Sequence, residues 1–261
     1  MAPHHGLFDL TDHVILVTGA SGGIGAEVAR SLAAHGARVL LAGRDTDKLA
    51  ALEAAIPGAQ ALPFDMTDPG APQAAVDRIV DQYGRLDAVF CIAAARDRKR
   101  LHELSVDAYR VLVEANLIAP YALAQAAAPV MQAAGRGRIV MMTSLAQDFS
   151  TPLDAGYPST KAGLAGLVRS LAVGLGAHGI TVNGIAPGAI KTDVNAALAA
   201  DPDWTTMINR TVPLKRWGEA DELSGAAVFL ASEASAYMTG QIMFIDGGAS
   251  VRMFPMEDEE D

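Results

Sequence analysis

Residues 14–32 constrain the fold of this chain more than any other stretch. They read VILVTGASGGIGAEVARSL: an apolar run of strand character, a glycine-rich turn, and a segment with apolar residues at helical spacing. Glycines let a backbone approach a pyrophosphate closely, and the unpaired amides at the start of a helix attract anions. This order indicates the first half of a dinucleotide-binding unit. Its TGxxxGxG spacing differs from the commoner GxGxxG. The alternative interpretation is that these glycines only form a turn and bind no cofactor.

The rest of the chain alternates strand-like and helix-like segments without a linker. The sequence therefore predicts an α/β fold: a single doubly wound Rossmann-type parallel sheet of about seven strands with helices on both faces. Residues 1–254 are expected to form one dinucleotide-binding and catalytic domain, and residues 255–261 an acidic, disordered tail. The predicted strands are residues 14–17, 38–42, 59–64, 87–93, 138–143, 180–185 and 241–245.

Charge and cysteine content narrow the function classes. The net charge is -10, and the five acidic residues at the C-terminus carry half of it, so neither nucleic acid nor an anionic membrane is an expected partner. The single cysteine, Cys91, excludes an intramolecular disulfide and a cysteine-based metal cluster, and no metal site is predicted. The first residues lack a secretory signal pattern. Two uncharged stretches, residues 115–135 and 170–190, are interrupted by proline and polar residues, so a soluble cytoplasmic protein is expected.

Four polar residues are candidates for catalysis. Tyr157 and Lys161 lie four residues apart at the start of a predicted helix and so share a face. A nearby ammonium would stabilise the phenolate and lower the tyrosine pKa from about 10 toward 7; an exposed helix pair is the alternative. Ser144 follows the fifth strand, where it could donate to a substrate carbonyl oxygen or cap the strand end. Asn116, inside an apolar helix, is either a satisfied core amide or a group that holds water near Lys161.

In order along the chain, five motifs resemble those of the short-chain dehydrogenases/reductases. They are TGASGGIG at residues 18–25, Asn116 in VEANL, Ser144 in MMTS, YPSTK from Tyr157, and NGIAPGAIKTD at residues 183–193. The resemblance covers nearly the whole chain. It implies an NAD(P)-dependent oxidoreductase that transfers a hydride between nicotinamide and a carbonyl or secondary alcohol.

The resemblance also assigns roles to residues. It implies that Tyr157 is the catalytic acid/base and that Lys161 lowers its pKa and holds the nicotinamide ribose. It implies that Ser144 orients the substrate carbonyl and that Asn116 supports a proton relay through water. Asp65 would meet the adenine. The cofactor-binding positions are Gly19, Ser21, Gly23, Ile24, Gly25, Arg44, Asp65, Met66, Ala93, Asn116, Tyr157, Lys161, Pro187, Gly188, Ile190 and Thr192.

One segment departs from the family pattern. Where the family usually has Asn-Asn-Ala-Gly after the fourth strand, this chain has Cys91, Ile92, Ala93 and Ala94. The missing asparagine removes polar support between strands, and Ala94 adds a methyl group near the expected adenosine ribose. A second hypothesis follows: a dinucleotide-binding sensor or scaffold subunit with weak catalysis.

The end of the second strand bears on cofactor choice. An acidic residue there would bind the ribose 2′-hydroxyl of NAD, but this chain has Gly43 followed by Arg44. Because a guanidinium suits a phosphate, NADP(H) is predicted over NAD(H). The alternative for Arg44 is a solvated loop charge.

Two segments bear on the substrate. The basic run RDRKR, residues 96–100, would attract an anionic substrate such as a sugar acid or an acyl thioester; a solvated surface or a subunit contact is the alternative. Residues 190–216 are expected to fold over the substrate. Short segments resemble gluconate 5-dehydrogenases within the family, and 3-oxoacyl carrier-protein reductases share parts of them. The resemblance implies a homotetramer. The side chains offered by residues 190–216 are Trp204, Met207, Asn209, Arg210 and Lys215.

Overall fold

The structure, a computed structural model, describes residues 6–252. Within them, seven strands form one parallel sheet in the order β3-β2-β1-β4-β5-β6-β7, which confirms the predicted fold class. The direction of winding reverses between β1 and β4, and ligands of such sheets bind beyond the carboxyl ends of the strands there. The predicted tail, residues 255–261, lies outside the described residues. The strands are β1 Val14–Thr18, β2 Arg38–Gly43, β3 Gln60–Pro63, β4 Ala88–Cys91, β5 Gly137–Met142, β6 Ile180–Pro187 and β7 Ile242–Ile245.

Helices cover both faces of the sheet. One apolar cluster lies between the sheet and α3, α5 and α6, and the other lies between the sheet and α1, α2 and α9. Both faces of the central strands are thus buried, which explains their nearly continuous apolar sequences. The helices are α1 Gly23–Ala34, α2 Thr46–Ala55, α3 Ala71–Tyr83, α4 Val106–Val113, α5 Ala119–Ala134, α6 Tyr157–Leu175, α7 Ala196–Ala199, α8 Pro202–Thr211 and α9 Ser224–Ala231.

A π-helical turn, Glu114–Ile118, joins α4 and α5 into one long helix. Pro120 follows it and has no amide hydrogen, so the carbonyl oxygen of Asn116 cannot receive the usual helical hydrogen bond. The whole segment, Val106–Ala134, is long and apolar enough to cross a membrane. One side of it is part of the protein core, where Leu123 and Met131 are fully buried.

Polar support between β1 and β4 comes from Thr18. Its hydroxyl donates to the carbonyl oxygen of Phe90 at 3.1 Å and accepts the amide of Ile92 at 3.0 Å. The loss of support expected from the missing asparagine is therefore offset by a side chain on the neighbouring strand. Ala94 is exposed, so its methyl group is not confined by the protein.

The glycine-rich turn is closed by contacts that only glycine permits. Gly19 has φ +69°, and a Cβ there would lie 2.8 Å from the amide nitrogen of Ala93 in the loop after β4. A Cβ on Gly25 would collide with the carbonyl oxygen of Gly19. Position 22, by contrast, has room, since the nearest atom to a Cβ is Asp193 Oδ2 at 3.7 Å.

Replacing Gly25 by alanine tests this packing. Gly25→Ala should destabilise the fold by about 2 kcal/mol, because overpacking against a fixed backbone outweighs the better helix propensity of alanine. Thermal unfolding should show a melting temperature lower by several degrees, whereas the matched variant Gly22→Ala should unfold like the wild type. Equal melting temperatures for the two variants would contradict the proposed contact.

Candidate active site

The four predicted catalytic residues come from three neighbouring parts of the fold. Tyr157 is the first residue of α6, and Lys161 follows one turn later with its Nζ 5.6 Å from the tyrosine ring centroid. Ser144 follows β5, and Asn116 lies in the π turn. Because β5 ends beside β4 and β6, this region is the carboxyl edge of the sheet. The structure thus brings Tyr157, Lys161 and Ser144 together.

Lys161 is buried, with 2% of its surface exposed. Its Nζ donates to the carbonyl oxygen of Met142 at 2.7 Å, at the end of β5. Burial lowers the pKa of Lys161 to about 7, and the nearby thiol of Cys91 opposes that shift while Arg96 adds to it.

Tyr157 responds to the same burial in the opposite sense. Loss of water around the phenol raises the pKa of Tyr157 above its ordinary value; the charge of Arg96 and a hydrogen bond from Ser144 lower it by smaller amounts. The sequence predicted that Lys161 would lower this pKa toward 7, and for this structure that direction is wrong. The physical reason is that desolvation disfavours both charged forms at once.

Ser144 has the capping role that was one of its two interpretations, and its hydroxyl also contacts the phenol. Its Oγ accepts the amide of Ala146 at 3.1 Å and so caps the short 3₁₀ turn Leu145–Gln147. The hydroxyl also contributes the hydrogen bond that lowers the pKa of Tyr157. The cap fixes the serine on the side of the phenol.

The side chain of Asn116 is occupied by protein partners. It is fully buried, its Oδ1 accepts the amide of Ala95 at 2.8 Å, and its Nδ2 donates to Ala95 O at 2.8 Å and to Thr160 Oγ1 at 3.1 Å. Both amide hydrogens are used, so this side chain ties the loop after β4 to α6. The expected role of holding water near Lys161 is therefore not one for this side chain, whose polar atoms are all paired within the protein.

The glycine turn borders an open cleft of about 430 Å³. The first turn of α1 carries no acidic residue and no capping side chain, so its amides are suited to an anion. A Cβ on Gly23, which has φ +52°, would touch Thr192 at 3.4 Å, so the segment after β6 forms the opposite wall. Pro187 ends β6, and Gly188 packs against Asp246. These residues fit a dinucleotide whose diphosphate lies at α1.

Two charges lie just after β2 and β3, where the sequence predicts the adenosine end of the cofactor. The Arg44 side chain is 82% exposed and lies 3.7 Å from Asp65, next to Gly43 at the end of β2. The amide of Thr67 donates to the Asp65 carboxylate at 2.9 Å and is the main reason that the pKa of Asp65 is lowered. Met66 is 8% exposed and packs within the core.

The two predicted substrate segments meet. Arg98 donates to Asn195 Oδ1 at 3.1 Å, which links the basic run 96–100 to the segment after β6. In α8, Ile208 packs with Val212 and Trp217. Four of the five side chains predicted to contact substrate are exposed, and one, Trp204, is half-buried against that cluster. The exposed four are Met207, Asn209, Arg210 and Lys215.

The sequence did not reveal one feature of the site. The guanidinium carbon of Arg96 lies 4.6 Å from the ring centroid of Tyr157, and Arg96 Nε donates to Asp154 Oδ2 at 2.7 Å. Arg96 belongs to the basic run that the sequence singled out. Its pairing with Asp154 could not be predicted, because the two residues lie in loops 58 residues apart.

The buried lysine has a consequence for stability. Folding lowers the pKa of Lys161, so the unfolded chain binds this proton more tightly than the folded chain does. Burial of the charged ammonium therefore decreases the free energy of unfolding at low pH. This loss of stability is relieved as the pH rises from about 7 toward the ordinary lysine pKa. We expect Lys161→Met to change the melting temperature more favourably at about pH 6 than at about pH 9. The exposed control Lys48→Met should show no such difference. If Lys161→Met also changed the melting temperature equally at the two pH values, the burial effect would be contradicted.

Comparison with known proteins agrees with the geometry. A family model described as enoyl-(acyl carrier protein) reductase matches residues 19–250. The gluconate 5-dehydrogenase of Gluconobacter oxydans (strain 621H) is 36% identical over 254 residues, covering 96% of this chain and 99% of the relative. The 3-oxoacyl-[acyl-carrier-protein] reductase of Escherichia coli (strain K12) is 33% identical over 236 residues, covering 90% and 96%.

A solved structure extends the similarity to the fold. The gluconate 5-dehydrogenase from Burkholderia cenocepacia J2315, in complex with NADP and tartrate, superposes with a TM-score of 0.90 at 33% identity, covering 95% of this chain and 98% of that one. The resemblance inferred from the five motifs is confirmed. The chain is an oxidoreductase and belongs to the short-chain dehydrogenase/reductase family.

Proposed function

We propose that this chain is an NADP(H)-dependent enzyme that interconverts a ketone and a secondary alcohol on a sugar acid, with Tyr157 as its acid/base. The observation that carries the proposal is the meeting of Tyr157, Ser144 and Lys161 at the carboxyl edge of the sheet, where the glycine turn before α1 also lies. Residues 1–254 would act as one domain, in the cytoplasm.

In this proposal the chain's own residues hold the reactants and move a proton. The bound nicotinamide supplies or accepts the hydride. During reduction the Tyr157 hydroxyl donates its proton to the developing alkoxide, and during oxidation the phenolate accepts it. Ser144 donates a hydrogen bond to the same oxygen. Lys161 holds the nicotinamide ribose, and the carbonyl of Asn116 holds a water that returns the proton from solvent.

The remaining cofactor positions divide by location. The amides of α1 and of the glycine turn would hold the diphosphate. Ala93 and the backbone of Met66 would contact the adenosine. The segment after β6 would bind the nicotinamide amide. Arg44 would bind the 2′-phosphate of NADP, because Gly43 leaves no carboxylate there and the Arg44 guanidinium is exposed. The NADP complex of the Burkholderia cenocepacia relative supports this assignment.

A carboxylate-bearing substrate is supported by charge. Residues 96–100 contribute four basic side chains to an otherwise acidic protein. Arg96 lies over the Tyr157 ring and is paired with Asp154, so Arg98, Lys99 and Arg100 would attract the substrate carboxylate. The relatives named gluconate 5-dehydrogenase favour a sugar acid over an acyl thioester.

We also infer self-association into a homotetramer. Apolar side chains on the outer faces of α4, α5 and α6 are exposed, among them Val111 at 62%, Tyr121 at 45% and Val173 at 87%. Apolar surface along neighbouring helices is typical of an interface between copies.

Removal of the phenol hydroxyl tests the catalytic assignment. With 5-keto-D-gluconate and NADPH, Tyr157→Phe should lower kcat by roughly a thousandfold, because general acid catalysis is lost while the ring and its packing remain. Tight binding of NADPH, followed by fluorescence, should persist. A Tyr157→Phe enzyme with wild-type turnover would overturn the assignment.

Removal of the exposed guanidinium tests cofactor choice. Arg44→Ala should weaken NADPH binding about tenfold, the effect of losing one charge-assisted phosphate contact. NADH lacks the 2′-phosphate and serves as the internal control, so its affinity should stay unchanged in a titration calorimeter. Equal weakening of both cofactors would mean that Arg44 does not read the 2′-phosphate.

A further inference from the structure

Arg96 and Asp154 form an ion pair directly against the tyrosine. Two guanidinium nitrogens, Nε and Nη2, each lie 2.7 Å from Asp154 Oδ2. The same guanidinium lies over the Tyr157 ring, with its carbon 4.6 Å from the centroid. An arginine placed over an aromatic face and held by a second group has a fixed orientation toward that ring.

Asp154 is the anchor of this pair. Its side chain is 3% exposed, against 35% for Arg96, and its Oδ1 is buried without a hydrogen-bond partner among the described residues. A buried carboxylate is costly unless it is paired, so Asp154 holds Arg96 in place. The backbone supports the arrangement, since the amide of Ala155 donates to Lys99 O at 3.0 Å and joins the two loops.

We propose that Arg96, anchored by Asp154, is a positioning residue for Tyr157: its guanidinium fixes the ring plane and stabilises the phenolate. The inference rests on the proposed function, in which Tyr157 is the acid/base. Because both nitrogens that approach Asp154 are committed, Arg96 acts through the tyrosine rather than by binding a substrate carboxylate.

The charges around the phenol agree with this role. Burial is the main influence and raises the pKa of Tyr157; among the groups that lower it, the charge of Arg96 comes first. Asp154 opposes Arg96, and Arg98 adds a smaller lowering effect. Lys161 lies farther from the ring than Arg96, with its Nζ 5.6 Å from the centroid. The titratable and polar groups that face Tyr157 are Arg96, Arg98, Ser144, Asp154 and Lys161.

The pH dependence of alcohol oxidation tests the proposal. Gluconate with NADP is the probe, and the rate rises with pH as the tyrosine ionises. Arg96→Gln should move the midpoint of the pH–rate profile upward by about one pH unit. The oxidation rate below the midpoint should therefore fall about tenfold, whereas the rate at high pH should stay unchanged. Arg96→Lys keeps the charge and should shift the midpoint less. Arg110→Gln makes the same change on α4, where the side chain is exposed and paired with Asp107, and should leave the midpoint unchanged.

A second readout requires neither substrate nor cofactor. The tyrosinate absorbance of Tyr157, taken as the difference between each protein and its Tyr157→Phe counterpart, should appear at higher pH in Arg96→Gln than in the wild type. If Arg96→Gln folds poorly, the neutral pair Arg96→Gln/Asp154→Asn avoids an unpaired buried carboxylate and should still shift upward, by a smaller amount.

The outcomes separate this inference from the proposed function. Equal loss of rate at every pH, with an unmoved midpoint and an unmoved tyrosinate signal, would mean that Arg96 is merely structural and would overturn the inference alone. Full activity of Tyr157→Phe would overturn the proposed function, whatever Arg96 does.

Discussion

Desolvation at the carboxyl edge of the sheet is the constraint on which the site depends. A phenol and an ammonium are enclosed together there, one turn apart on α6. Water is the best stabiliser of either charged form, and its exclusion raises the pKa of Tyr157 and lowers that of Lys161. A site that must ionise the phenol during turnover therefore needs other groups that favour the phenolate.

The fold supplies those groups from elements distant in sequence. Parallel strands end at one edge, so the turns after β4 and β5 reach the start of α6. Ser144 contributes a hydroxyl that is fixed by a 3₁₀ turn, and Arg96 contributes a charge that is held by Asp154. Asn116 fastens the same loop through Ala95. The polar residues around Tyr157 thus position one another as well as the ring.

Much of the fold and part of the site could be predicted from sequence, for local reasons. Strand, turn and helix signals are short-range, so the seven strands and the residues that follow them could be placed. The Arg96–Asp154 pair could not be predicted, because two loops create it by meeting in space. The pKa of Tyr157 was predicted in the wrong direction because a sequence reveals the neighbouring ammonium but not the burial that outweighs it.

The dominance of desolvation can be tested by titrating Tyr157 itself. Carbon-13 labelling of the tyrosine rings, with Tyr157→Phe to assign the signal, would follow this residue by NMR through a pH titration of the protein without added cofactor. We expect a midpoint above the ordinary tyrosine value of about 10, because burial outweighs the smaller effects of Arg96 and Ser144. A midpoint clearly below that value would contradict the claim that desolvation governs the site.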